Sequence, residues 1–238
     1  MLACRMRSLH DKVIVITGAG GAIAGAVAEA FYEAGARPAL VDRDEVAIAA
    51  RAQSYGTAAI VSDMRSPAEA RSAIAAVCEH HGHVDGLVHL VGDIASGQVA
   101  TLDDEAYANV FDSNVGTLVH AVRSVLPELV QRDEGFVGGI ASFEAWGGGA
   151  AGRALFAAAK SAVATFLRSL DKELIGTGVH VGICFPMGLV DTPSNRQALG
   201  RDHCGQLIDP AVIGRAFVTA ATSGTGGRMV ELPVYPPA

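Results

Sequence analysis

A chain of 238 residues, 50% hydrophobic and 18% charged, is long enough for one domain with a sizeable core and too apolar to be disordered. Its formal charge of −7 disfavours a nucleic-acid partner, because phosphate binding needs a basic face. Cys4, Cys78, Cys184 and Cys204 are scattered without a Cys-x-x-Cys pair, which speaks for reduced thiols and against a disulfide framework or a zinc site.

The uncharged stretch Val13 to Ala28 is too short and too rich in glycine to span a membrane. Residues 1–10 carry Arg5 and Arg7 without an apolar run, so no secretory signal is read and a soluble cytoplasmic protein is expected. Seven short apolar runs predict strands at Val13–Thr17, Pro38–Val41, Ala58–Val61, Leu87–Val91, Phe136–Ile140, Val179–Phe185 and Arg228–Leu232. A helical pattern follows the first run to Phe31, and others cover about 44–55, 67–81, 104–131, 154–176 and 209–221. Alternation of this kind predicts βαβ units, and continuously apolar strands predict a parallel sheet covered on both faces. No repeat or low-complexity linker divides the chain, so residues 1–238 are read as a single α/β domain. The polar segment 193–208 is either a surface loop or a mobile lid.

Chemistry enters at the first turn. Thr17-Gly18-Ala19-Gly20-Gly21-Ala22-Ile23-Ala24-Gly25 follows a strand and opens a helix. In that context backbone N–H groups and a helix N-terminus can meet a pyrophosphate. Asp42 ends the second strand, where a carboxylate can accept hydrogen bonds from the ribose hydroxyls of an adenosine and repel a 2′-phosphate. NAD is therefore expected over NADP, although Arg43 is adjacent.

With these residues in view, the chain resembles the short-chain dehydrogenase/reductase family over nearly its whole length. Leu9 to Gly18 resembles the family's first strand and turn, and Asp63 its adenine-contacting acid. His89-Leu90-Val91-Gly92 stands where the family usually has Asn-Asn-Ala-Gly, and Pro186-Met187-Gly188-Leu189-Val190-Asp191-Thr192-Pro193 is similar to the segment bordering the nicotinamide. Asn114 matches the family's helix Asn, Ser142 its catalytic Ser, and Lys160 the Lys of Tyr-x-x-x-Lys, but Phe156 occupies the tyrosine position.

The resemblance implies a Rossmann-type doubly wound sheet of about seven strands and an NAD-dependent oxidoreductase for an alcohol/carbonyl pair. It implies cofactor contacts from Gly18, Gly20, Gly21, Ala22, Ile23, Asp42, Asp63, Met64, Gly92, Lys160, Pro186, Gly188, Leu189 and Thr192. Asn114, Ser142, Phe156 and Lys160 would form the catalytic group, a substrate lid would span 189–208, and a homodimer or homotetramer would form through the helices near 112–131 and 154–170.

Three departures bear on activity. Phe156 has no hydroxyl to protonate an alkoxide, so activity is expected to be weak or atypical. Glu144 and His203 are candidate substitutes, each of which could instead be a solvated surface residue. Ala22 and Ala24 stand where glycine is usual and predict weakened cofactor binding. The triplet Ala22-Ile23-Ala24 is similar to that of enoyl reductases of the same superfamily, whose Tyr lies further before the Lys, where this chain has Arg153. An inactive NAD-binding homologue with a regulatory or structural role is the alternative that Phe156 supports. His80-His81-Gly82-His83 is read as a turn, Cys184 as a buried strand residue, and Ser142 lacks the Gly-x-Ser-x-Gly elbow of a hydrolase.

Overall fold

The computed structural model describes residues 8–199, 207–223 and 229–237. Seven strands, β1 (Val13–Thr17), β2 (Arg37–Asp42), β3 (Ala59–Val61), β4 (Gly86–His89), β5 (Gly135–Ile140), β6 (Val179–Pro186) and β7 (Val230–Val234), form one sheet in the order β3-β2-β1-β4-β5-β6-β7. Every pairing is parallel. The order reverses between β1 and β4, which opens a crevice at the carboxyl ends of those two strands.

Helices α1 (Ala24–Glu33), α2 (Glu45–Tyr55), α3 (Pro67–His81), α4 (Asp104–Phe111), α5 (Thr117–Arg132), α6 (Ala154–Glu173), α7 (Pro193–Leu199) and α8 (Pro210–Thr222) connect the strands. The sheet has a buried apolar cluster on each face. Val13, Val15, Leu87, Val137 and Val181 pack with α3, α5 and α6. Ile14, Ile16, Leu40, Val88 and Phe136 pack with α1 and α8. That alternation along β1 explains its five consecutive apolar or β-branched residues, all buried.

Local chemistry sets the ends of several helices. Asp44, Ser66, Asp103 and Asp209 each accept a backbone N–H from the first turn of α2, α3, α4 and α8. Gly56 and Gly82 close α2 and α3 in left-handed conformation. The His80-His81-Gly82-His83 stretch is therefore the end of α3, with His83 paired to the buried Asp85 at 2.9 Å.

Three expectations shift. The predicted helix 104–131 is two helices joined by a π-helical segment, Asp112–Gly116. The last strand runs to Val234, because Pro233 is tolerated at a sheet edge where its missing N–H is not needed; Arg228 lies outside the described residues. The 193–208 segment begins with α7, and Val190 pairs with Ile208 in an isolated bridge. Residues 200–206, including His203, lie outside the described residues. Among the described residues no helix is long and apolar enough to cross a membrane.

Candidate active site at the carboxyl end of the sheet

Two clefts of about 540 and 310 Å³ meet along Gly18, Gly21, Leu90, Gly92 and Asp93, forming one trough over the crevice. The turn after β1 forms its floor. Gly18 has φ +73°, and a Cβ there would come within 2.8 Å of the Val91 nitrogen, so only glycine lets the turn lie against the end of β4. No side chain caps α1, and Gly21, Ala22, Ile23 and Ala24 line the larger cleft, leaving the first turn of that helix open toward it.

The smaller cleft holds Asp42, Arg43, Ser62, Asp63 and Met64. Both oxygens of Asp42 are anchored: Oδ2 accepts the Gly20 N–H at 2.9 Å and Oδ1 the Asp44 N–H at 3.0 Å. Asp63 accepts the Arg65 N–H at 2.9 Å, and the Met64 carbonyl is engaged by His120 at 2.9 Å. The Ser62 hydroxyl is buried without a protein partner.

The larger cleft holds Ser142, Phe156, Lys160, Pro186, Gly188, Leu189 and Thr192. Asn114 comes from the π-helical segment that interrupts the predicted helix. Its Nδ2 donates to the carbonyls of Asp93 and Val110 at 3.0 and 2.9 Å, which fixes the amide's orientation. Its Oδ1 is buried and has no protein partner. A Cβ on Gly92 would lie 2.4 Å from that oxygen and 3.2 Å from Lys160 Nζ, so both groups converge on the end of β4.

Lys160 donates to the Ile140 carbonyl at 3.2 Å and is 6% exposed. Burial pulls its ammonium down to about 8, partly offset by Glu144. Beneath it, burial first and the Lys160 charge second push His89 down to about 3. Thr117 donates to the Ser113 carbonyl, so its oxygen accepts the His89 Nε2 proton at 3.1 Å, and Thr17 donates to Nδ1 at 2.8 Å. Neutral His89 thus bridges two strands and a helix with both ring nitrogens satisfied.

Phe156 is buried, with Arg153 4.7 Å and Lys160 5.7 Å from its ring centre. Glu144 is not a solvated surface residue: it is 3% exposed. Ser142 Oγ donates to its Oε2, while Oε1 lies 2.9 Å from Arg153 Nε without hydrogen-bond alignment. The role of Arg153 was invisible in the sequence; its only signal was its place three residues before Phe156, one helical turn away.

The trough can take an elongated ligand, having a carboxylate at one end and an ammonium and a hydroxyl at the other. This is a dinucleotide-binding α/β protein with polar groups gathered at one end of its trough. The chain belongs to the short-chain dehydrogenase family, whose model matches residues 12–202. An uncharacterized oxidoreductase of Staphylococcus haemolyticus is 30% identical over 235 residues, covering 97% of this chain and all of the relative. One from Staphylococcus epidermidis is 32% identical over 234 residues with the same coverage.

Among solved structures, a 3-ketoacyl-(acyl-carrier-protein) reductase from Brucella melitensis complexed with NADH superposes with a TM-score of 0.85 at 24% identity, over 96% of this chain and 98% of that one. An actinorhodin polyketide ketoreductase with NADPH gives 0.84 at 25% identity, over 95% and 96%. Oxidoreductase membership of the chain and its use of a nicotinamide cofactor follow from the family.

Proposed function

We propose that this chain is an NAD-dependent oxidoreductase interconverting a small alcohol and its carbonyl compound. The observation that carries the reading is Asp42, anchored at one end of the trough whose other end gathers Ser142 and Lys160. Asp42 would accept the adenosine ribose hydroxyls, and its fixed charge would oppose a 2′-phosphate. Asp63 and Met64 would border the adenine. Gly18, Gly20, Gly21, Ala22 and Ile23 would face the diphosphate, where the uncapped N-terminus of α1 favours negative charge. Lys160 would supply a donor for the second ribose beside Gly92. Pro186, Gly188, Leu189 and Thr192 would wall the nicotinamide.

When bound, the coenzyme supplies hydride transfer. The protein's part is to orient the reacting carbon, to exclude water, and to hold Ser142 Oγ at the substrate oxygen. Phe156 offers packing and no proton. Reduced thiols at Cys78 and Cys184 suit a cytoplasmic setting. Calorimetric titration with NADH and NADPH, followed by turnover over a panel of alcohols and carbonyl compounds, tests the reading. Micromolar uptake of NADH with slow oxidation or reduction is expected. Folded protein that binds neither coenzyme removes it.

A further inference from the structure

We propose that proton handling in this site belongs to the Ser142–Glu144 pair, and that the pair is set to take a proton from an alcohol. The inference rests on the coenzyme reading above and adds a direction and a residue to it.

Four observations lead there. The helix position that faces the cleft from α6 carries Phe156, whose ring lies against Arg153 and Lys160 and has no exchangeable proton. Ser142 lines the cleft, whereas the Glu144 side chain is fully withdrawn from solvent behind it. The hydrogen bond between them runs from the serine hydroxyl to the carboxylate. With its proton committed to Glu144, the serine oxygen presents lone pairs to the cleft, which suits an incoming alcohol O–H better than a carbonyl oxygen.

The step balances as follows. The alcohol O–H proton passes to Ser142 Oγ as the serine's own proton passes to Glu144 Oε2. The carbinol C–H bond breaks, and its electron pair leaves with hydride for an oxidised nicotinamide dinucleotide. The C–O single bond becomes a carbonyl. Glu144 is left as a neutral carboxylic acid and returns one proton to solvent through Ser142 Oγ once the product has left the cleft. The charged groups around it are Arg153, 2.9 Å from Oε1 and ahead of α6, and Lys160 from α6 itself. Because Glu144 acts through Ser142, it is a positioning and proton-accepting residue and touches no substrate atom.

The test combines Glu144→Gln, an uncharged isostere, with Glu144→Asp, which keeps the charge beside Arg153 but shortens the reach to Ser142. The expected outcome for Glu144→Gln is a fall in alcohol oxidation of ~10²-fold or more, with NADH affinity unchanged. The carboxyl-governed limb of the pH–rate profile should disappear in Glu144→Gln and persist, at a lower rate, in Glu144→Asp. Infrared difference spectra of coenzyme-saturated protein give a readout independent of turnover: the carboxylate band lost in Glu144→Gln should mark Glu144 as ionised at rest. A Glu144 that is protonated at rest overturns the direction. Glu144→Gln that turns over within threefold of the native chain with the same pH profile overturns the relay and leaves the oxidoreductase reading standing. A native chain that binds NADH but oxidises no alcohol also overturns the relay. Failure to bind either coenzyme is the distinct signature that the underlying reading is wrong. If Glu144→Gln does not fold, Glu144→Asp decides: full native activity would sink the proposal.

Discussion

Replacing Asp42 by Ala should exchange the coenzyme preference, and the reason lies in how the carboxylate is held. Gly20 and Asp44 donate to its two oxygens at 2.9 and 3.0 Å, so it cannot swing away from an approaching 2′-phosphate. A phosphate of about 1.5 negative charges some 5 Å away, at an effective dielectric of about 40, is repelled by ~2.5 kcal/mol, roughly 70-fold in affinity. Losing the charge-assisted hydrogen bonds to the ribose costs NADH a further ~1.5–3 kcal/mol. Alanine also frees the Gly20 and Asp44 N–H groups, beside Arg43, for a phosphate oxygen. The ratio of NADH to NADPH affinities should therefore swing by roughly 10³, measured by fluorescence titration of both coenzymes with native and variant protein. Raising the ionic strength should narrow the native preference, since the site is open to solvent. A native chain with equal affinities, or a swing under tenfold, would refute the assignment of Asp42 to the ribose.

Phe156→Tyr places a hydroxyl beside two cations and should raise turnover by ~10²-fold with coenzyme affinity retained; an unchanged rate would mean that the ring does not face the reacting carbon. Gly92→Ala puts a methyl group 2.4 Å from Asn114 Oδ1 and 3.2 Å from Lys160 Nζ, so calorimetry should show NADH affinity reduced at least ~10-fold in protein that is still folded. His89, held at about 3 when folded against about 6.5 unfolded, binds its proton more readily in the unfolded chain, so its contribution to stability is intact above pH ~6.5 and lost as pH falls toward 3. Urea titrations at pH 7 and pH 5 should show native protein losing ~2 kcal/mol more than His89→Asn, and equal losses would mean that His89 is not buried neutral.

The sheet was legible because parallel strands buried on both faces are written as unbroken apolar runs, and β1 falls on Val13–Thr17 as read. What the pattern of hydrophobicity could not convey was a change of helical pitch. Asp112–Gly116 keeps the composition of a helix, yet its wider turn sends Asn114 inward with an unpartnered oxygen. The glycine turn beside Asp42 was legible, because backbone demands for close approach leave a compositional trace. The Glu144–Arg153 contact left none. It joins the first residue of a π-helical segment, Glu144–Gly148, to the residue that precedes α6, and charged residues are ordinarily solvated.

Glu144 could be accounted for as a counterion alone, since Arg153 and Lys160 would otherwise face a buried ring with no anion nearby. Neutralising Arg153, however, occupies only Oε1. A carboxylate serving that end alone would gain most by presenting both oxygens to the guanidinium, the bidentate geometry that arginine favours. Here Oε2 is instead turned to Ser142, which lines the cleft with Phe156 and Lys160. Burying a carboxylate is costly, and the hydrogen bond that Glu144 accepts comes from the residue nearest the expected chemistry. Its companion Phe156 forfeits a proton donor at the same place. The proposed relay accounts for the two features together: Phe156 offers no proton, and a carboxyl group stands behind the serine.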